Sequence, residues 1–280
     1  MNGGSRTRHA PARTTQRRRR EVPGVVIAPA LLGGALLVLP LVALLVRMNW
    51  SALPATLADP ATGSALALSL ITAASATLCC IALGVPLAVV LSRASGWWSV
   101  ALRGIVTLPL VLPPLVGGLA LLSLLGRGGA LGDVLAEAGI RIPFTTGAVV
   151  IAQTFVSLPF LVISVEGALR ALTPAFGDAA ATLGATPATA LFRVTLPIIR
   201  PGLTAGIILC FTRALGEFGA TALFAGNAGG TTRTVPLAIY TAFNGAGVTQ
   251  DTALTLSLIL IAIALVSLAL VQGRTAARAM

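Results

Sequence analysis

Six stretches of this chain are apolar for long enough to cross a bilayer, and nothing else in it limits the fold as tightly. They run roughly over Val25–Val46, Ala65–Leu91, Leu102–Leu125, Gly147–Val165, Pro201–Ala225 and Ala253–Val271. About 20 mainly apolar residues span the hydrocarbon core as a helix. A helix pairs its own backbone groups, which lipid cannot do for it. The expectation is an all-α integral membrane protein with about six transmembrane helices. The third run contains Pro109, Pro113 and Pro114, so its helix should be kinked or locally broken. Composition agrees. Of 280 residues, 56% are hydrophobic and 10% charged, with a mean hydropathy of +0.95. A soluble domain carries roughly 25% charged residues.

Charge orients the spans. All 19 basic residues are Arg, and the formal net charge is +11. These Arg residues sit at the ends of apolar runs, which speaks for a membrane protein rather than a nucleic-acid binder. Seven lie in the N-terminal tail. With that tail in the cytoplasm, Arg93, Arg103, Arg170, Arg193, Arg200, Arg274 and Arg278 also fall inside, and only Arg47, Arg127, Arg141 and Arg233 fall outside. The asymmetry predicts both termini in the cytoplasm. The first span is too long for a signal-peptide core, and no small-residue cleavage site follows it. Residues 1–24 read as a disordered Arg-rich tail, 25–63 as the first helix with an outer loop, 64–273 as a five-helix core, and 274–280 as a short tail. Cys79, Cys80 and Cys210 lie within apolar runs and read as buried small hydrophobes. No metal-type spacing exists, and no cofactor is expected.

The longest internal cytoplasmic connection, residues 170–200, carries helix punctuation. Thr173-Pro174 and Thr186-Pro187 each pair an N-cap with a first-turn proline, and Gly184 suits a stop between them. A second short helix over Ala188–Val194 should end at Leu196-Pro197. Two short helices would form a compact cytoplasmic knob. By spacing alone it is either a linking hairpin or a docking element. Its Ala and Gly surfaces let a partner approach closely.

The stretch Asp178-Ala179-Ala180-Ala181-Thr182-Leu183-Gly184, then nine residues, then Val194-Thr195-Leu196-Pro197, resembles the cytoplasmic signature of ABC-importer permeases. That signature reads Glu-Ala-Ala, three residues, Gly, nine residues, Ile, one residue, Leu-Pro. Asp178 stands in place of Glu and Val194 in place of Ile. The resemblance implies a type I ABC importer permease-like fold. It also implies that Asp178, Ala179, Ala180, Gly184, Ala185, Val194, Leu196 and Pro197 couple the chain to an ATP-hydrolysing partner. Independently, a chain without Lys cannot supply the lysine of a Walker phosphate loop. This subunit is therefore not expected to be the ATPase or any other enzyme.

The fifth run carries Arg213 and Glu217, about 18 and 24 Å along a helix that starts at Pro201. Charges at that depth normally face the bundle interior and pair. Two readings stand: a structural ion pair, or an arginine that draws an anion along the path. The structural reading is preferred, because tight binding in mid-pore would hinder release. Glu217 is the only acidic residue placed deep in a span.

The string Arg213-Ala214-Leu215-Gly216-Glu217-Phe218-Gly219-Ala220-Thr221, with Phe224-Ala225-Gly226-Asn227 and Thr232-Arg233-Thr234-Val235-Pro236, is similar to molybdate permeases, as is Leu108–Gly118. Sulfate permeases are similar but usually carry Tyr-Gly-Ser after the Glu. The resemblance implies import of a tetrahedral oxyanion, most simply molybdate, with tungstate or sulfate as alternatives. It implies a bacterial plasma-membrane assembly of two copies of this chain, two ATP-binding subunits and an extracytoplasmic binding protein, working by alternating access. Residues 126–144 and 226–252 are the outer segments expected to meet the binding protein. An ion-coupled secondary transporter is the rival reading, with Glu217 as its one intramembrane carboxylate.

Overall fold

The computed structural model describes residues 23–173, 175–245 and 250–276, with residues 175, 177, 178 and 270–276 described by their backbone alone. Among the described residues there is no strand. In chain order the helices are α1 (Gly24–Arg47), α2 (Leu53–Ala58), α3 (Pro60–Arg93), α4 (Gly96–Val111), α5 (Pro114–Leu125), α6 (Gly132–Glu137) and α7 (Thr146–Arg170). Then come α8 (Ala175–Thr182), α9 (Pro187–Ala190), a π-helical stretch Leu191–Thr195, α10 (Leu196–Ile198), α11 (Arg200–Leu215), α12 (Gly219–Phe224), α13 (Val235–Phe243) and α14 (Gln250–Ala276).

Four helices are long and apolar enough to cross a membrane by themselves: α1, α3, α7 and residues Gln250–Ala269 of α14. The number rises to six when each of two bent pairs counts as one crossing. The chain is thus an all-α multi-pass membrane protein. Residues up to Arg47 form one unit, and none of the residues of α1 is buried within it.

From Met48 onward the bundle is organised around α7, which packs against α3 on one side and α11 on the other. Cys80, Ala88 and Leu91 of α3, Leu161, Val162 and Val165 of α7, and Cys210 of α11 meet in one apolar cluster. Small residues allow the close approach. A Cβ on Gly206 would lie 2.9 Å from Ser164 Cβ, and one on Gly202 would lie 2.5 Å from Ala168 Cβ. A second cluster joins α5, α7 and α12 through Leu121, Ala148, Ala152, Ala220 and Phe224. Cys80 and Cys210 are buried as expected, but Cys79 is exposed, because it lies on the face of α3 turned away from α7 and α11.

The first bent pair is α4 with α5, at 114°. Leu112 (ψ 134°) and Pro113 (ψ 134°) are extended. Each precedes a proline, and the following proline ring disfavours the helical region for both. Pro114 then opens α5 from the first turn, where its missing N–H costs nothing. Pro109, one turn earlier, stays inside α4 without breaking it.

The fifth run departs from expectation. It is not one helix to Ala225: α11 stops at Leu215, and α12 starts at Gly219. Gly216 closes α11 with ψ near zero (7°), and Phe218 is non-helical at φ −125°. The second bent pair couples residues Pro187–Ile198 to α11 at 76°. The knob's last helical segment therefore continues to Ile198 instead of ending at Leu196-Pro197. Pro197 cannot donate a backbone bond, and the turn before it widens into the π-helical stretch, with Leu196 N–H bonded to Leu191 O.

Candidate functional site

The knob is assembled by local capping. Gly184 N–H donates to Ala181 O at 2.9 Å and Ala185 N–H to Ala180 O at 3.0 Å, with Gly184 at φ +77°. This is the Schellman pattern, in which the left-handed residue lets two successive N–H groups fold back on the helix end. Thr186 Oγ1 accepts from Thr189 N–H at 3.2 Å and caps α9. Pro174, the expected first-turn proline, lies outside the described residues. α8 packs against α9 and the π-helical stretch.

The eight signature residues differ in burial. Ala180 is buried within the knob. Leu196, half-buried, packs against the α3–α7–α11 cluster, where Ile199 is fully buried. Val194 and Pro197 are half-buried, as is Ala185. Ala179 and Gly184 are exposed, and the side chain of Asp178 lies outside the described residues. Beside them stand large exposed apolar groups: Leu183 at 87%, with Phe176 and Phe192 also exposed. Apolar side chains this open on a helical hairpin form a surface that a partner can cover.

The second locus is the break between α11 and α12. Glu217 is 1% exposed. Its Oε2 accepts from Arg213 Nη1 at 2.7 Å and its Oε1 accepts from Ala220 N–H at 2.8 Å. One carboxylate thus holds the end of α11 and the first turn of α12. Arg213 keeps 28% of its side chain exposed, so the guanidinium is paired on one edge and open on another. Glycines let the flanking helices close in here. A Cβ on Gly219 would lie 2.7 Å from Pro114 Cβ, and one on Gly118 would lie 2.8 Å from Ala220 O.

A second buried carboxylate lies near the end of α7. α7 continues past Val165, and Glu166 is buried in it. Glu166 Oε1 accepts from Arg103 Nε at 2.8 Å and from Arg170 Nε at 2.9 Å. Arg170 Nη2 reaches Leu91 O at 3.4 Å. This cluster joins α3, α4 and α7 at the base of the knob. The Glu166–Arg170 spacing of four residues was the available signal in the sequence.

Residues 81–278 match the family described as "Binding-protein-dependent transport system inner membrane component". The chain belongs to this family. It is 49% identical over 256 residues to the "Molybdenum transport system permease protein ModB" of Mycobacterium tuberculosis (strain ATCC 25618 / H37Rv), covering 91% of this chain and 96% of that one. It is 36% identical over 231 residues to the "Sulfate transport system permease protein CysT" of Escherichia coli (strain K12), covering 79% and 82%. Among solved structures, the crystal structure of a bacterial ABC transporter involved in the import of the acidic polysaccharide alginate superposes with a TM-score of 0.68 at 17% identity, over 89% of this chain and 94% of that one. The fold is that of type I ABC-importer permeases. The chain is a permease of the ModB type, related to sulfate permeases, and a transport subunit rather than an enzyme.

Proposed function

We propose that this chain is the membrane subunit of an ATP-driven importer of a tetrahedral oxyanion, molybdate in the first place, and that it works by alternating access. The observation that carries the reading is the 49% identity to a molybdenum permease over 91% of the chain. In this reading the knob of residues 170–200 sits in a cleft of a cytoplasmic ATP-binding subunit. Asp178, Ala179, Ala180, Gly184 and Ala185 shape its tip, and Val194, Leu196 and Pro197 join it to α11. Two copies of the chain enclose the path, and an extracytoplasmic binding protein delivers the anion. Both termini face the cytoplasm of a bacterial cell, and residues 64–273 form the permease core.

Arg213 and Glu217 act first as a structural pair that fixes the break. The carboxylate has protein donors on both oxygens, which suits a role in fixing the break. The open edge of Arg213 lends the path a positive wall without a tight anion site.

Reconstitution with the cognate ATPase and binding protein in liposomes tests this. Molybdate uptake should require ATP, and uptake driven by an ion gradient alone would sink it. The relationship to a sulfate permease favours sulfate as the second substrate. Competition between labelled molybdate and excess sulfate in the same liposomes separates the two.

A further inference from the structure

The segment joining α5 to α7, expected from the sequence to meet the binding protein, also borders a cavity. A cavity of about 510 Å³ opens between the last turn of α5 and this segment. That is a volume typical of ligand sites, roughly 300–1,000 Å³. Leu122, Leu125, Ile140 and Phe144 give it apolar walls, and Arg127 and Arg141 line it as well. Both arginines are exposed, and neither has a hydrogen-bond or ion-pair partner among the described residues. The nearby carboxylate of Asp133 is directed to Gly128 N–H at 2.8 Å.

The wall is rigid. Phe144 is the one non-glycine residue with positive φ, at 62°, among the described residues. Its N–H donates to Phe224 O at 3.3 Å, and a Cβ on Gly226 would come within 3.0 Å of its ring. Strained backbone of this kind persists only where its surroundings fix it, and it concentrates at ligand sites. The segment also exposes Leu131, Val134 and Ile140. Such side chains are at home in the interfacial layer of a membrane, with arginines at the level of the headgroups. Because α7 crosses between them, this layer lies on the membrane face opposite the knob.

We propose that this cavity holds an anionic phospholipid, with an acyl chain among Leu122, Leu125, Ile140 and Phe144 and the phosphate on Arg127 and Arg141. A free oxyanion could use the two guanidinium groups but would leave the apolar chamber unfilled. A lipid uses both.

The test is native mass spectrometry of the full chain released from nanodiscs of phosphatidylcholine containing a minor fraction of phosphatidylglycerol. The wild-type chain should retain phosphatidylglycerol. The Arg127→Gln/Arg141→Gln variant should retain it roughly thirtyfold less, as expected for two surface arginines. Ala136→Trp, which fills the chamber and keeps both charges, should also lose the lipid. Glycerol 3-phosphate, which carries the head without the chains, should not displace it. Equal retention by the wild-type and double-Gln chains overturns the proposal, and so does displacement by glycerol 3-phosphate. Intact lipid retention together with loss of binding-protein docking in the double-Gln variant overturns it in favour of a protein-docking surface.

Discussion

Glu217 shows how much a single buried carboxylate can hold. Replacing it with Gln removes the charge that Arg213 needs while leaving the bond to Ala220 N–H possible. Breaking a buried pair from one side costs about 3 kcal/mol, and the 28% exposure of Arg213 brings this nearer 2. Thermal unfolding of the purified Glu217→Gln chain in detergent should show that loss, and an unchanged midpoint would refute the structural role. At the other end of the scale, Asp59 caps α3 by accepting from Thr62 N–H at 3.0 Å. That backbone bond holds the Asp59 carboxyl below its ordinary pKa. A depressed folded pKa means that the cap is present at neutral pH and is lost as pH falls through the lowered value. The protection of the Thr62 amide, taken against its intrinsic exchange rate at each pH, should therefore fall below the usual carboxylate range, and Asp59→Ala should remove that fall. Arg213 and Glu217 were legible because charges stand out in an apolar run. Glu166 was not, since the apolar run stops at Val165 while the helix does not, and Arg103 lies 63 residues away.

Helix punctuation is legible in the sequence at Pro113-Pro114 and Gly184, where the chemistry is local. The tandem Pro113-Pro114 announces the α4–α5 bend, because two successive residues are barred from the helical region. Gly184 announces the end of α8 for the same kind of reason. Its Cβ would meet open space, so Gly184→Ala should cost only the backbone term, about 1 kcal/mol. Circular dichroism melts of the purified chain give that difference. The break at residues 216–218 is not legible in the apolar run because it depends on a side chain, that of Glu217, folding back onto α12. Gly219 shows the tertiary side of the same break. An added methyl there meets Pro114 Cβ at 2.7 Å, so Gly219→Ala should destabilise by about 2 kcal/mol through overpacking. Gly63, with open space around its Cβ site, serves as the control.

For the whole molecule, the apolar spans, the family and the helical knob over residues 170–200 are readable, because they rest on long apolar runs and a spaced signature. Which faces stay open is not, since it depends on how the helices pack. Leu183 is the test residue at this scale. It is 87% exposed at the tip of the knob and contributes nothing to the core. Leu183→Asp should leave membrane insertion and thermal stability unchanged while removing co-purification with the ATPase, and undiminished co-purification would exclude the knob as the docking site. The two helix breaks add a mechanical consequence. Gly219 lies against Pro114, so the interruption before α12 and the one before α5 sit side by side, and Gly118 locks onto Ala220 just beyond. α5 and α12 are coupled as a consequence: bending at either break by itself would pull apart the glycine contacts that join them, and both helices are also held against α7 through Leu121, Ala148, Ala152, Ala220 and Phe224.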